Sequence, residues 1–200
     1  MSFSYRMNTE VLYYQNAVHH IRLALSAYAV QTLDKNYGCD NETTYEEVLP
    51  SDKKSLNHAI QSVINFACCA ESCYNLSINE YCRRSDIDEI LRNKLLRLPV
   101  QNKIRQINIF YLKIIPNDLE KDLVLLARVR NQLVHYSEPI SYCGGCVMGE
   151  QFLLLRKENI VKFQNAVDAL IAILHQNRVL DSDIRCPSAP VIGNGDIDFE

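Results

Sequence analysis

The strongest constraint in this sequence is a run of apolar residues spaced three and four apart: Leu56, Ile60, Val63, Ala67, Ala70, Tyr74, Ile78 and Tyr81. At 3.6 residues per turn, that spacing lays all eight on one face of a helix. It predicts a helix over about 56–83. A stripe of that length must bury against a close partner helix, nearly parallel or antiparallel to it.

Four further helices follow from the same periodicity. The first is predicted over about 9–33, with Val11, Tyr14, Val18, Ile21, Leu25 and Tyr28 as its stripe. A shorter one covers about 86–98 and stops before Pro99. The fourth opens at Asn117 or Asp118 after Pro116, with acids in its first turn, and carries Leu119, Leu123, Leu126, Val129 and Leu133. It is expected to end near Tyr136, because Ser137-Glu138-Pro139 follows. The fifth runs over about 159–180, with Ile160, Phe163, Val167, Leu170, Ile171 and Leu174.

Residues 34–54 read as a polar linker, and 100–115 are mixed: Ile107 to Leu112 fits a strand or a helical turn equally well. Gly144-Gly145 between short β-compatible runs is a hairpin signal. The expected architecture is an all-α bundle of about five helices with one hairpin-like loop after the fourth, forming a single domain over 1–180. A loosely ordered tail is expected over 181–200.

At 200 residues the chain is long enough for a sizeable core without metals or disulfides. It has no apolar run near the roughly 20 residues that span a bilayer. Its first residues lack the basic-then-apolar order of a secretory signal, so a cytoplasmic location and no membrane partner are expected. Of the eight cysteines, Cys68, Cys69, Cys73 and Cys82 fall within the second helix, where they read as packing residues. The net charge of −3 excludes a global positive field, so any nucleic-acid contact must come from a local patch.

One stretch carries chemistry: Arg130-Asn131-Gln132-Leu133-Val134-His135. An Arg and a His five apart are expected by chance about 0.3 times in a chain of this composition, and about 0.03 times once Asn must follow the Arg. Five helical residues rise about 7.5 Å and turn through about 140°, so Arg130 and His135 diverge, while Asn131 and His135 share a face. That divergence suits a composite site in which two copies of the chain face one another. Cleaving RNA without a metal needs a base for the 2′-hydroxyl proton and an acid for the leaving 5′-oxygen, and His titrates in the range that serves both. Arg presents a planar fork of donors to phosphate oxygens. Arg130, His135 and Asn131 are therefore the candidate catalytic residues, with Asn131 holding the substrate or the imidazole.

This stretch resembles the signature of the HEPN superfamily, an Arg followed by a polar residue, with a His four to six positions beyond the Arg. The order of helices around it is also similar, as is Glu71 within an apolar early helix. The resemblance implies a metal-independent endoribonuclease, active as a homodimer, leaving 2′,3′-cyclic phosphate and 5′-hydroxyl ends. It also implies a toxin or anti-phage defence role and an antitoxin or defence-system partner. Many toxins of this group place a Tyr two residues after the His, where it is modified; here Ser137 stands there and Tyr136 directly follows His135.

Glu71 and Tyr136 are the supporting candidates, with Glu71 expected to orient Arg130, to accept a bond from a Tyr or Arg within the core, or simply to be a solvated helix residue. From Ile90 to Pro116 the chain has six basic residues and no acid; Arg92, Arg97, Lys103 and Arg105 are candidates for tracking an RNA backbone or else a solvated face. Cys143-x-x-Cys146 supplies half of a zinc set without a second pair in the chain, so neither a metal nor another cofactor is expected. The competing reading is a non-catalytic module for dimerisation, nucleotide or partner binding.

Overall fold

Asp52 sets the start of the longest helix. Its carboxylate accepts from the Ser55 N–H at 2.6 Å, while the Ser55 hydroxyl accepts from the Asp52 N–H at 3.2 Å. The Ser55 backbone N–H first, and then its hydroxyl, hold the Asp52 carboxyl below the usual carboxylate range.

The structure is a computed structural model that describes residues 9–34, 44–135, 142–143, 146–147 and 154–179. It is an all-α bundle with two small hairpins. In chain order the elements are α1 (Thr9–Leu25), β1 (Tyr28–Asp34), β2 (Thr44–Pro50), α2 (Lys53–Arg84), α3 (Glu89–Leu96) and α4 (Val100–Phe110). Then follow α5 (Asn117–His135), β3 (Tyr142–Cys143), β4 (Cys146–Val147) and α6 (Lys157–Gln176).

The expected stripe on α2 is real and widened. Val63, Ala67, Ala70, Tyr74 and Ile78 are buried, and so are Phe66, Cys69, Cys73 and Cys82 beside them. Burial around so much of the circumference lets α2 pack against α1, α3, α4, α5 and α6. Cys69, Cys73 and Cys82 are buried and help fill this core as small apolar side chains. Burying a side chain such as Phe66 contributes about 1.5–3 kcal/mol.

Tyr14 meets Phe66 edge-on at 6.3 Å between ring centroids, and His20 Nδ1 lies 3.0 Å from His58 Nδ1. As residue number rises on α1 it falls on α2, so the two helices are antiparallel. The face of α1 that is buried is Tyr14, Ala17, Ile21 and Ala24.

The first helix is shorter than expected. It ends at Leu25, and Tyr28–Asp34 pairs antiparallel with Thr44–Pro50, Tyr28 opposite Pro50 and Asp34 opposite Thr44. The apparent helical step from Leu25 to Tyr28 hid a run with β-branched Val30 and Thr32, which favours a strand. The supposed polar linker supplies its partner. Ser51 clamps the base of this arm, its N–H and hydroxyl both donating to the Ala27 carbonyl at 2.9 and 2.6 Å. Tyr28 donates its hydroxyl proton to the Leu155 carbonyl at 2.7 Å, and Arg156 pairs with Glu47 at 3.2 Å, tying the arm to the start of α6.

The mixed segment after Pro99 is helix α4, so the described residues hold six helices rather than five. Its apolar face, Ile104 and Ile107, is buried. Leu112 and Lys113 have positive φ (60° and 61°) and stop it. Asn108 then staples the turn, donating to the Ile115 carbonyl at 3.1 Å and accepting from its N–H at 2.8 Å.

On α5, Leu123, Leu126 and Val129 are buried, and on α6 so are Ile160, Phe163, Val167, Leu170 and Leu174. The Gly-Gly hairpin forms: Tyr142 pairs with Val147 and Cys143 with Cys146. Tyr136, Ser137 and the tail over 181–200 lie outside the described residues. No helix among the described residues is long and apolar enough to cross a membrane.

Candidate functional site

Arg130 sits on α5 one residue past buried Val129, at the edge of the stripe, and is half-buried. Its Nη2 donates to Glu71 Oε2 on α2 at 2.9 Å. Its Nε is buried and has no hydrogen-bond partner among the described residues. The other oxygen of Glu71 accepts from Lys103 Nζ on α4 at 3.2 Å, and Lys103 also donates to Asn75 Oδ1 at 2.8 Å. Three helices thus converge on one carboxylate. Lys103 is only 2% exposed, and a buried ammonium is stable only with such partners.

Beside this cluster runs an open groove of about 790 Å³, lined by Glu71, Arg128, Arg130, Asn131, Gln132 and His135 together with apolar Val124 and Ala127. Leu98, Pro99 and Val100 also line it. Pro99 is the N-cap of α4 and makes no side-chain cap hydrogen bond, so the start of α4 is part of the lining. The N-terminus of a helix favours anions. Arg128, Asn131, Gln132 and His135 are exposed, and His135 closes the last turn of α5, where the helix dipole favours a cation.

A second groove of about 860 Å³ lies between α5, α6 and the β1–β2 arm. Five acids line it (Glu46, Glu47, Asp118, Asp122 and Glu158) against Arg156, Lys157 and Lys162, so it is the poorer place for an anion.

Arg130, Asn131, His135 and Glu71 therefore come together in one groove of one chain, although the helical turn between Arg130 and His135 is large. Glu71 contacts Arg130 directly. None of the four basic candidates lines this groove. Lys103 is internal and bound to Glu71, Arg92 pairs with Glu89 at 3.4 Å, and Arg97 and Arg105 are exposed outside the lining of this groove. Among the described residues no group of three or more His, Cys, Asp or Glu side chains is placed to hold a metal ion.

The sequence reading missed Asn75 and the buried position of Lys103. One signal was present: Val100, Lys103, Ile104 and Ile107 share the helical spacing of a buried face, and a Lys on such a face needs a carboxylate. Cys68, one turn from Glu71, was also missed at this site; burial pushes its thiol up, Arg130 opposes that, and Glu71 adds to it.

Compared with protein-family models, curated proteins and solved structures, this chain matches none.

Proposed function

We propose that this chain is a metal-independent endoribonuclease of HEPN type. The supporting observation is that Arg130, Asn131 and His135 line one open groove whose lining also includes Pro99 and Val100 at the start of α4, a helix without a side-chain cap. RNA phosphate would lie between Arg130, Arg128 and the start of α4. The 2′-oxygen attacks phosphorus, the bond to the 5′-oxygen breaks, and the products are a 2′,3′-cyclic phosphate and a 5′-hydroxyl. Arg130 stabilises charge on the phosphorane oxygens. His135 moves one proton, and Asn131, four residues before it, orients the ring or the substrate.

The reaction needs two proton transfers, and this groove is lined by one imidazole. A homodimer in which a second His135 faces the same phosphate supplies the other. Val134, half-exposed beside His135, suits such a contact. In this reading the protein is a cytoplasmic toxin or defence nuclease restrained by a partner.

The test is RNA cleavage by purified protein. His135→Ala should lose about 10²–10⁴-fold in rate with unchanged helical content, and EDTA should not inhibit the wild type. Full cleavage by the variant overturns the assignment.

A second reading is a non-catalytic binding module, favoured by the Arg130–Glu71 ion pair, which occupies one end of the Arg fork. Equal growth of cells expressing wild type and Arg130→Ala would support it.

A further inference from the structure

Among the described residues Lys103 is the only buried Lys or Arg. It does not reach the groove lining; its ammonium is spent on Glu71 and Asn75. Glu71 is shared, with Oε1 facing Lys103 and Oε2 facing Arg130. The three side chains together carry one net positive charge. Without Lys103, Glu71 is free to turn both oxygens to Arg130. The unpartnered Arg130 Nε is the donor that would complete a two-bond fork, the strongest arrangement for this pair. That fork cancels the charge of Arg130 and occupies its donors.

We infer that Lys103 is a positioning residue that holds Glu71 back, so that Arg130 remains net positive and open to a phosphate of a polyanionic ligand in the groove. The inference rests on the reading that RNA phosphate binds beside Arg130, but it concerns charge and binding rather than proton transfer. It distinguishes Lys103 from the surface cations: it acts on the ligand only through Glu71 and Arg130.

The experiment uses the full chain and a fluorescent 2′-O-methyl RNA oligonucleotide, which can bind but cannot be cleaved, followed by anisotropy across a salt series. Unmodified RNA of the same sequence is assayed for cleavage in parallel. Lys103→Met should weaken binding, lower the slope of log Kd against log salt by about one, and slow cleavage at least about tenfold. Lys103→Met combined with Glu71→Gln removes both balancing charges and should restore binding and its salt slope to near wild type. A merely structural Lys103 would leave the double variant no better than the single one. Thermal melts of each variant check that the fold survives.

Wild-type binding with the loss-and-rescue pattern, but without cleavage, sinks the nuclease reading and leaves the role of Lys103 standing. Cleavage by wild type with unchanged binding by Lys103→Met, or without rescue in the double variant, overturns the inference alone. A wild type that neither binds nor cleaves overturns both.

Discussion

Tyr14 and Asp168 join the first helix of the bundle to the last: the Tyr14 hydroxyl donates to Asp168 Oδ1 at 2.6 Å. Burial pushes the Asp168 carboxyl above its ordinary 3.8, and the Tyr14 bond only partly opposes this. A carboxyl whose folded pKa is raised contributes stability below its unfolded value and loses it as pH rises through the folded one. Asp168→Asn keeps an acceptor for Tyr14 without the charge. It should be more stable than wild type at pH 7, with the difference shrinking as pH falls towards 4. Urea denaturation at the two pH values measures this, and a difference independent of pH contradicts it.

His20 titrates in the opposite sense. Burial, then His58 on α2, then His19 on its own helix pull its imidazole below the ordinary 6.5. The Nδ1–Nδ1 contact to His58 needs one protonated and one unprotonated nitrogen, so a second proton removes the bond and adds a like charge. A depressed folded pKa means that the contribution is full above about pH 6.5 and is lost as pH falls through the folded value. Wild type should lose more stability between pH 7.5 and 5.5 than His20→Gln; parallel losses would refute this.

The Tyr74 hydroxyl is fully buried and has no hydrogen-bond partner among the described residues. Burial holds this phenol protonated far above its usual range. An unmet buried donor costs about 1–3 kcal/mol, so Tyr74→Phe should stabilise the chain by about 1 kcal/mol. In a protein of this size that is a rise of about 2–4 °C in Tm. A fall in Tm would show that the hydroxyl has a partner.

Stability should also respond unequally to the two ends of the Lys103–Glu71 pair. Glu71→Ala strands a buried ammonium with Asn75 alone and should cost about 3–5 kcal/mol. Lys103→Met leaves Glu71 with Arg130 and with water, since about a third of its side chain is exposed, and should cost much less. Equal costs in chemical denaturation would mean that Lys103 is not held as described.

The helices that were legible in the sequence are those with large apolar residues in strict rotation. Val63, Tyr74 and Ile78 on α2, and Phe163, Leu170 and Leu174 on α6, are buried as their spacing requires. The face of α1 was harder to read because its fully buried positions include Ala17 and Ala24, whose small side chains give weak periodicity, while Val11 and Val18 are only half-buried. The β1–β2 arm was missed because a strand is stabilised by its partner, and the partner Thr44–Pro50 is not contiguous with Tyr28–Asp34 in sequence. At the site, Arg130, Asn131 and His135 were legible as a linear motif, and Glu71 only as a point of likeness whose partner the sequence leaves open between Arg130, the core and solvent. Lys103 was not, because its type says surface and the partner that overrides this lies 32 residues away.

Because α1, α3, α4, α5 and α6 all lean on α2, the bundle has unequal room for evolutionary drift. A substitution on the inner faces of α2 is felt by several neighbours at once, so those positions tolerate change only in concert with them. Helix α3 contributes no buried side chain and is held at its start by the Asp88 cap. Among the described helices it alone has no buried side chain to preserve, so it can be rewritten most freely, and its exposed Ile90 and Leu91 are open to selection for something other than folding.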